Sequence, residues 1–214
     1  MSVDDSSTWA NFGKIDPELE TILGVAGPQP SLGDLPDVPT LRQAFLDTLA
    51  HIVASGHGVP PDLTGVKKSS IQIPVRDGTT ISSLLYQPEH LPAGGSPLIV
   101  LYHGGGFCIG MPELEEDVAV TAVRNHGAIA LSVDYRMAPE FIFPVAIHDC
   151  FDTFKWAAAN AQSLNADLSQ GFLLGGSSSG ATAACSVAHL ARDEKVSPPL
   201  TGMWYVRLES ETLP

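Results

Sequence analysis

The sequence predicts an α/β fold: a mostly parallel, twisted sheet with helices between its strands and an antiparallel hairpin at its N-terminal edge. Three observations predict it. Leu98–Tyr102 and Ala128–Val133 are unbroken apolar runs, the composition of strands covered on both faces. Segments of helical period separate those runs, so the strands are joined by crossovers, which parallel pairing requires. Ahead of them Ile71, Ile73 and Val75 alternate, Arg76-Asp77-Gly78-Thr79 supplies a turn, and Ile81–Tyr86 returns as the second arm of a hairpin.

Taken in order, residues 1 to about 65 read as helix and loop. Asp16-Pro17-Glu18-Leu19 has an N-cap residue, proline at the first helical position and acid in the first turn. Pro28–Pro39, with four prolines, reads as a connector. Leu41, Phe45, Leu49, Ile52 and Val53 recur at spacings of three and four, a helix that Gly56 and Gly58 stop. His51 and His57, at that stop, read as structural or solvated. After the hairpin, Gln87–Pro97 is a polar loop and Leu98–Tyr102 the third strand. A helix is expected from Pro112 to about His126, a strand at Ala128–Val133, and a helix from Pro144 to Ala161 carrying Phe151, Phe154 and Ala158. Phe172-Leu173-Leu174 is the fifth strand, Ala181 to about Arg192 the helix after it, and Leu200–Val206 a sixth strand. Trp156 and Trp204 are expected in the core. Residues 1–65 are therefore expected to form a helical cap, and 66–214 an α/β core.

Composition narrows the function. The 214 residues are 44% hydrophobic and 16% charged, enough apolar surface for a sizeable core. A net charge of −13 argues against nucleic acid and anionic membranes, both of which need basic surface. No apolar run is long enough to span a bilayer, and Met1-Ser2-Val3-Asp4-Asp5 lacks the basic and apolar regions of a signal peptide. Cys108, Cys150 and Cys185 are odd in number and widely spaced, which suits free thiols in the cytosol, and no second thiol or histidine stands at metal-ligand spacing. Cys108 reads as small core packing.

Two glycine-rich stretches carry the chemistry. Gly176-Ser177-Ser178-Ser179-Gly180 fits the G-x-S-x-G pattern, which sets a serine at a strained strand-to-helix turn with its hydroxyl exposed. His103-Gly104-Gly105-Gly106 follows the third strand, where three consecutive glycines leave backbone N–H groups unobstructed to cradle an anion. Acyl transfer needs both a nucleophile and an oxyanion hole.

These two motifs, with Asp134-Tyr135-Arg136-Met137-Ala138-Pro139-Glu140 and Phe143-Pro144 between them, resemble the hormone-sensitive-lipase family of α/β-hydrolases in content and order. The resemblance covers roughly residues 66–206. It implies a serine carboxylesterase without cofactor or metal, acting on small esters with short or medium acyl chains or on acetylated aromatic compounds. By the same resemblance Ser178 is the nucleophile, and the N–H groups of Gly105, Gly106 and Ser179 form the oxyanion hole. His103 and Gly104 shape the glycine loop, and Asp134, Arg136 and Glu140 form an ion-pair and hydrogen-bond network behind the site.

The chain departs from that pattern downstream of the serine. The family's order is serine, acid, histidine, yet the sequence ends 36 residues after Ser178. His189, the one later histidine, lies eleven residues along the following helix, roughly 15 Å away at about 1.5 Å per residue. Asp193, Glu194, Glu209 and Glu211 are not placed as the family's acid. His90, His126 and His148 fall in a loop or beside helices that pack on the sheet's faces. The expectation is a weak or inactive form missing the last strands; a non-catalytic small-molecule binder on the same fold, as in plant gibberellin receptors, and a non-functional truncated product are the alternatives.

Overall fold

The computed structural model describes residues 13–26, 35–56 and 60–206. The chain divides into two units, Met1–Asp37 and Val38–Pro214. In the first, helix α1 covers Pro17–Ala26. Its cap is the expected one: Asp16 Oδ1 accepts the Glu18 amide at 2.8 Å.

The second unit opens with helix α2, Val38–Ala54, which contains no fully buried residue. Pro39, expected in the connector, lies instead in its first turn, where proline's missing N–H has no intrahelical acceptor to lose. Gly56 follows at φ +78°, as the expected stop requires; Gly58, His57 and residues 28–34 of the connector lie outside the described residues.

Six strands then form one sheet in the order β1-β2-β4-β3-β5-β6. β1 (Val66–Pro74) and β2 (Thr80–Pro88) are the hairpin, in register from Val66 opposite Pro88 to Pro74 opposite Thr80. β2 runs antiparallel to β4 (Ile129–Val133). β4, β3 (Leu98–Tyr102), β5 (Phe172–Ser177) and β6 (Gly202–Val206) are mutually parallel. This is the predicted mostly parallel sheet with an antiparallel N-terminal edge. Every residue of β3 and β4 is buried, as apolar runs without alternation require.

Helices cover the two faces unequally. α3 (Glu116–His126), entered through a 3₁₀ turn at Pro112–Glu115, packs Ala119, Val120 and Val123 on Ile99, Leu101 and Ala130. On the other face α4 (Val145–Ala159) and α5 (Ser179–Asp193) bury Phe151, Phe154, Ala184 and Val187 against Leu98, Val100, Leu131 and Leu174. Phe154 and Phe172 stack at 4.7 Å.

Trp204 corrects the sequence expectation. It is 39% exposed, as is Met203, because β6 is an edge strand. Its ring lies against Gly175, where a Cβ would come 3.1 Å from Trp204 Cε3. Beside it an apolar groove of about 650 Å³ runs between Trp204, Leu173 and α3. Trp156 is partly buried against the core. Among the described residues no helix is long and apolar enough to cross a membrane.

Candidate active site

The site stands at the C-terminal ends of β3 and β5, where open α/β sheets bind ligands. Ser178 joins β5 to α5 at φ +50°, ψ −119°, a backbone conformation costly for a residue with a side chain. The flanking glycines explain how the turn is tolerated. A Cβ on Gly176 would lie 2.5 Å from the Tyr102 carbonyl oxygen, and one on Gly180 only 1.9 Å from the same atom. The turn is pressed so tightly onto the end of β3 that only glycine fits on either side of it. Ser178 is half-buried and its side chain makes no cap hydrogen bond.

The glycine loop abuts this turn. A Cβ built on Gly104 would stand 3.3 Å from Ser178 Cβ. Gly105, at φ +125°, has no room for a side chain: its Cβ would fall 2.0 Å from the Ile109 carbonyl. That carbonyl's own residue closes the loop, since the amides of Cys108 and Ile109 both donate to Gly105 O at 3.0 Å. Gly106 is exposed at φ +62°. The amides of Gly105 and Gly106 make no backbone hydrogen bond among the described residues, and Ser179 is the first residue of α5, where N–H groups have no intrahelical acceptor. Gly104, which precedes the first two of these donors, borders Ser178, and the third follows it in the chain.

His103 is fully buried. Its ring stacks on Tyr135 at 4.3 Å, and Nδ1 lies 2.8 Å from Gly104 O. A carbonyl only accepts, so Nδ1 carries the proton; burial lowers the imidazole's pKa and keeps it neutral. The Tyr135 hydroxyl donates to His103 O at 2.7 Å, holding the strand end from the other side.

The Asp134–Glu140 stretch is not one network. Arg136 donates through Nε and NH2 to Asp149 at 2.8 and 2.7 Å and through NH1 to Asp77 at 2.6 Å. Glu140 instead takes a two-pronged ion pair from Arg42 on α2, at 2.7 and 2.8 Å. The Asp134 carboxyl joins neither pair among the described residues; burial raises its pKa, and Glu113 adds to the rise. Arg136 turns toward the hairpin turn and α4, while Glu140 is exposed and turns toward α2.

Three residues that sequence reasoning passed over prove central. Buried Glu115 accepts the Ser177 hydroxyl at 2.6 Å, one residue before Ser178; burial raises its pKa against the lowering effect of that bond. Asp149 is the fully buried partner of Arg136. Arg42 reaches Cys108 O through Nε and Ala138 O through NH2, both at 2.8 Å, besides Glu140. Asp149 was signalled by the basic residue of the Arg136 motif needing a counter-charge; Glu115 and Arg42 had no local signal. Cys108 is half-buried rather than packed in the core.

No histidine is hydrogen-bonded to Ser178 among the described residues. His51, His90, His126 and His189 are exposed, His148 is half-buried on α4, and His57 lies outside the described residues. No three His, Cys, Asp or Glu side chains among those described converge on a possible metal position. The arrangement offers a strained serine beside unused backbone donors, the elements for holding a tetrahedral oxyanion.

Known proteins share this framework. The profile of the family described as alpha/beta hydrolase fold matches residues 99–212. An AB hydrolase superfamily protein of Schizosaccharomyces pombe is 36% identical over 197 residues, 91% of this chain and 56% of the relative. Carboxylesterase NlhH of Mycobacterium tuberculosis is 31% identical over 185 residues, 79% of this chain and 57% of that protein. Among solved structures, a bacterial heroin esterase superposes with a TM-score of 0.75 at 28% identity, covering 91% of this chain and 58% of its own. An esterase of Pyrobaculum calidifontis gives 0.69 at 34% identity, covering 86% and 55%. The chain thus spans about half the length of the curated relatives it matches. By the profile match and the sheet, elbow and glycine loop together, the chain belongs to the α/β-hydrolase family.

Proposed function

We propose that this protein hydrolyses small carboxylic esters through an acyl-Ser178 intermediate. The observation that carries the reading is the Ser178 turn itself: a positive-φ serine between two glycines that cannot bear a Cβ, so near the glycine loop that a Cβ built on Gly104 would stand 3.3 Å from Ser178 Cβ. Strain of this kind persists where surrounding structure enforces it and where it serves a function. In the proposed reaction Ser178 Oγ attacks the ester carbonyl and gives up its proton to solvent, the amides of Gly105, Gly106 and Ser179 receive the oxyanion, and the C–O bond to the leaving group breaks as water protonates the departing alcohol. Water then cleaves the acyl-enzyme. His103 and Gly104 hold the loop, and Asp134, Arg136 and Glu140 support its surroundings. Residues 1–65 act as a helical cap and 66–214 carry the catalytic core, a reading that the ties from Arg42 to Cys108 and Ala138 support. Three unpaired cysteines favour the cytosol.

The described residues place no base on Ser178, so the 214-residue polypeptide is expected to acylate slowly. Loss of a triad member still leaves a rate on the order of a thousandfold above water, from oxyanion donors and binding alone. Incubation with p-nitrophenyl acetate should therefore release p-nitrophenol slowly and leave an acetyl group on Ser178 by peptide mapping. Ser178→Ala should abolish both. Acetylation absent from Ser178, or release unchanged by the substitution, sinks the proposal.

A further inference from the structure

A partly open apolar pocket of about 230 Å³ lies between Phe107, the 138–147 stretch and α5. Two of its walls adjoin the site along the chain. Phe107, which forms one wall, directly follows Gly106. Thr182, on another wall, lies one helical turn after Ser178 and donates its amide to Ser178 O at 3.2 Å. Three of the lining residues are phenylalanines, and two of those rings are fixed from behind. Phe107 packs tilted on Tyr135, with centroids 6.0 Å apart. Phe141 lies under the Arg136 guanidinium at 5.0 Å, itself clamped by Asp149 and Asp77. Arg42 holds the Ala138 carbonyl in the same wall. Phe143, 84% exposed, is the outer lip. Ser186 gives its hydroxyl to Thr182 O at 2.9 Å, so that hydroxyl is occupied within α5.

We infer that this pocket receives a single aromatic ring on the acyl arm of the ester; the inference rests on the Ser178 reading above. Size and chemistry both point to it. A dry cavity of about 150 Å³ suffices to hold benzene, so 230 Å³ admits one ring with a short link to the carbonyl and not two. Rings held at fixed angles offer edge and face contacts that a flexible chain does not satisfy as well. The acyl arm stays bonded to Ser178 through both half-reactions, so a pocket walled by the residue after the glycine loop and by the helix that starts at the serine turn suits it better than the departing alcohol. The ion pairs of Arg136 and Arg42 thereby acquire a role: they set the walls of the pocket.

Boronic acids test the inference without needing turnover. The Ser178 hydroxyl oxygen donates a lone pair to boron, one B–O bond forms, no B–C or B–O bond breaks, and the serine proton passes to solvent. Methylboronic acid, which has no ring, should give a tetrahedral ¹¹B signal that Ser178→Ala removes. Phenylboronic acid should bind roughly three- to tenfold more tightly than n-hexylboronic acid, and 4-biphenylboronic acid should lose that gain. Ser186→Phe, which fills the pocket, should weaken phenylboronic acid by at least about tenfold while the methylboronic signal persists. Phe107→Leu should erase the ring preference independently should Ser186→Phe fail to fold. A Ser178-dependent methylboronic signal without a ring preference overturns the pocket and leaves the nucleophile standing. No Ser178-dependent signal overturns both.

Discussion

Glu115 shows how much a single buried side chain decides here. Its carboxyl is buried, and although it accepts hydrogen bonds from Ser177, burial outweighs them and lifts its pKa above the ordinary 4.5. The sign follows from linkage: the fold binds this proton more tightly than the unfolded chain does. The resulting stability is fully present below the unfolded pKa and is lost as pH rises through the folded one. Glu115→Gln keeps an oxygen for Ser177 and does not titrate. Its melting temperature should match wild type near pH 4 and exceed it increasingly toward pH 7.5; a pH-independent difference would refute the assignment. Asp77 behaves oppositely. Hydrogen bonds from Thr79 and then Arg136 hold its pKa near 2, so its contribution exists above its ordinary range and fades in acid. Residue-scale facts of this kind were the least legible in the sequence. Glu115 meets Ser177 across 62 positions, and Arg42 meets Ala138 across 96. Nothing in local spacing encodes such pairings.

At the scale of elements the sequence was far more readable, because each signal has a local cause. β3 and β4 read as strands because burial on both faces demands unbroken apolar runs, and the hairpin because one face of it alternates. The serine turn was legible for a steric reason, the two glycines that β3 crowds. That reason makes a sharp contrast available. Gly180→Ala would drive a methyl into Tyr102 O and should destabilise the protein by about 3 kcal/mol in urea denaturation. Gly202→Ala on β6 meets nothing nearer than 3.9 Å and should stay within about 0.5 kcal/mol. Equal losses at both positions would mean that the crowding at the turn is not what selects glycine. Trp204 was misread for the complementary reason. Aromatic residues in a strand promise burial only when the strand has neighbours on both sides, and among the described residues β6 has one.

Over the whole chain, a net charge of −13 and an exposed apolar groove pull in opposite directions. Repulsion keeps copies apart at neutral pH and vanishes near the isoelectric point of about 4.7. Light scattering should therefore rise as pH falls from 7.5 toward 5, and Trp204→Lys should suppress both that rise and the binding of a hydrophobic dye. Scattering that is independent of pH and of residue 204 would place the sticky surface elsewhere. The junction of Tyr102 and His103 has a different kind of consequence. Tyr102 O confronts both glycines of the serine turn, His103 O takes the Tyr135 hydroxyl, and the donor loop begins at the next residue. Ser178 and the glycine loop, the proposed nucleophile and oxyanion donors, thus hang from one shared hinge-pin. When the sheet breathes, both swing in phase, so their mutual alignment survives motions that would scatter groups mounted on separate struts. The same economy concentrates risk, for a disturbance at that pin would misalign everything suspended from it at once.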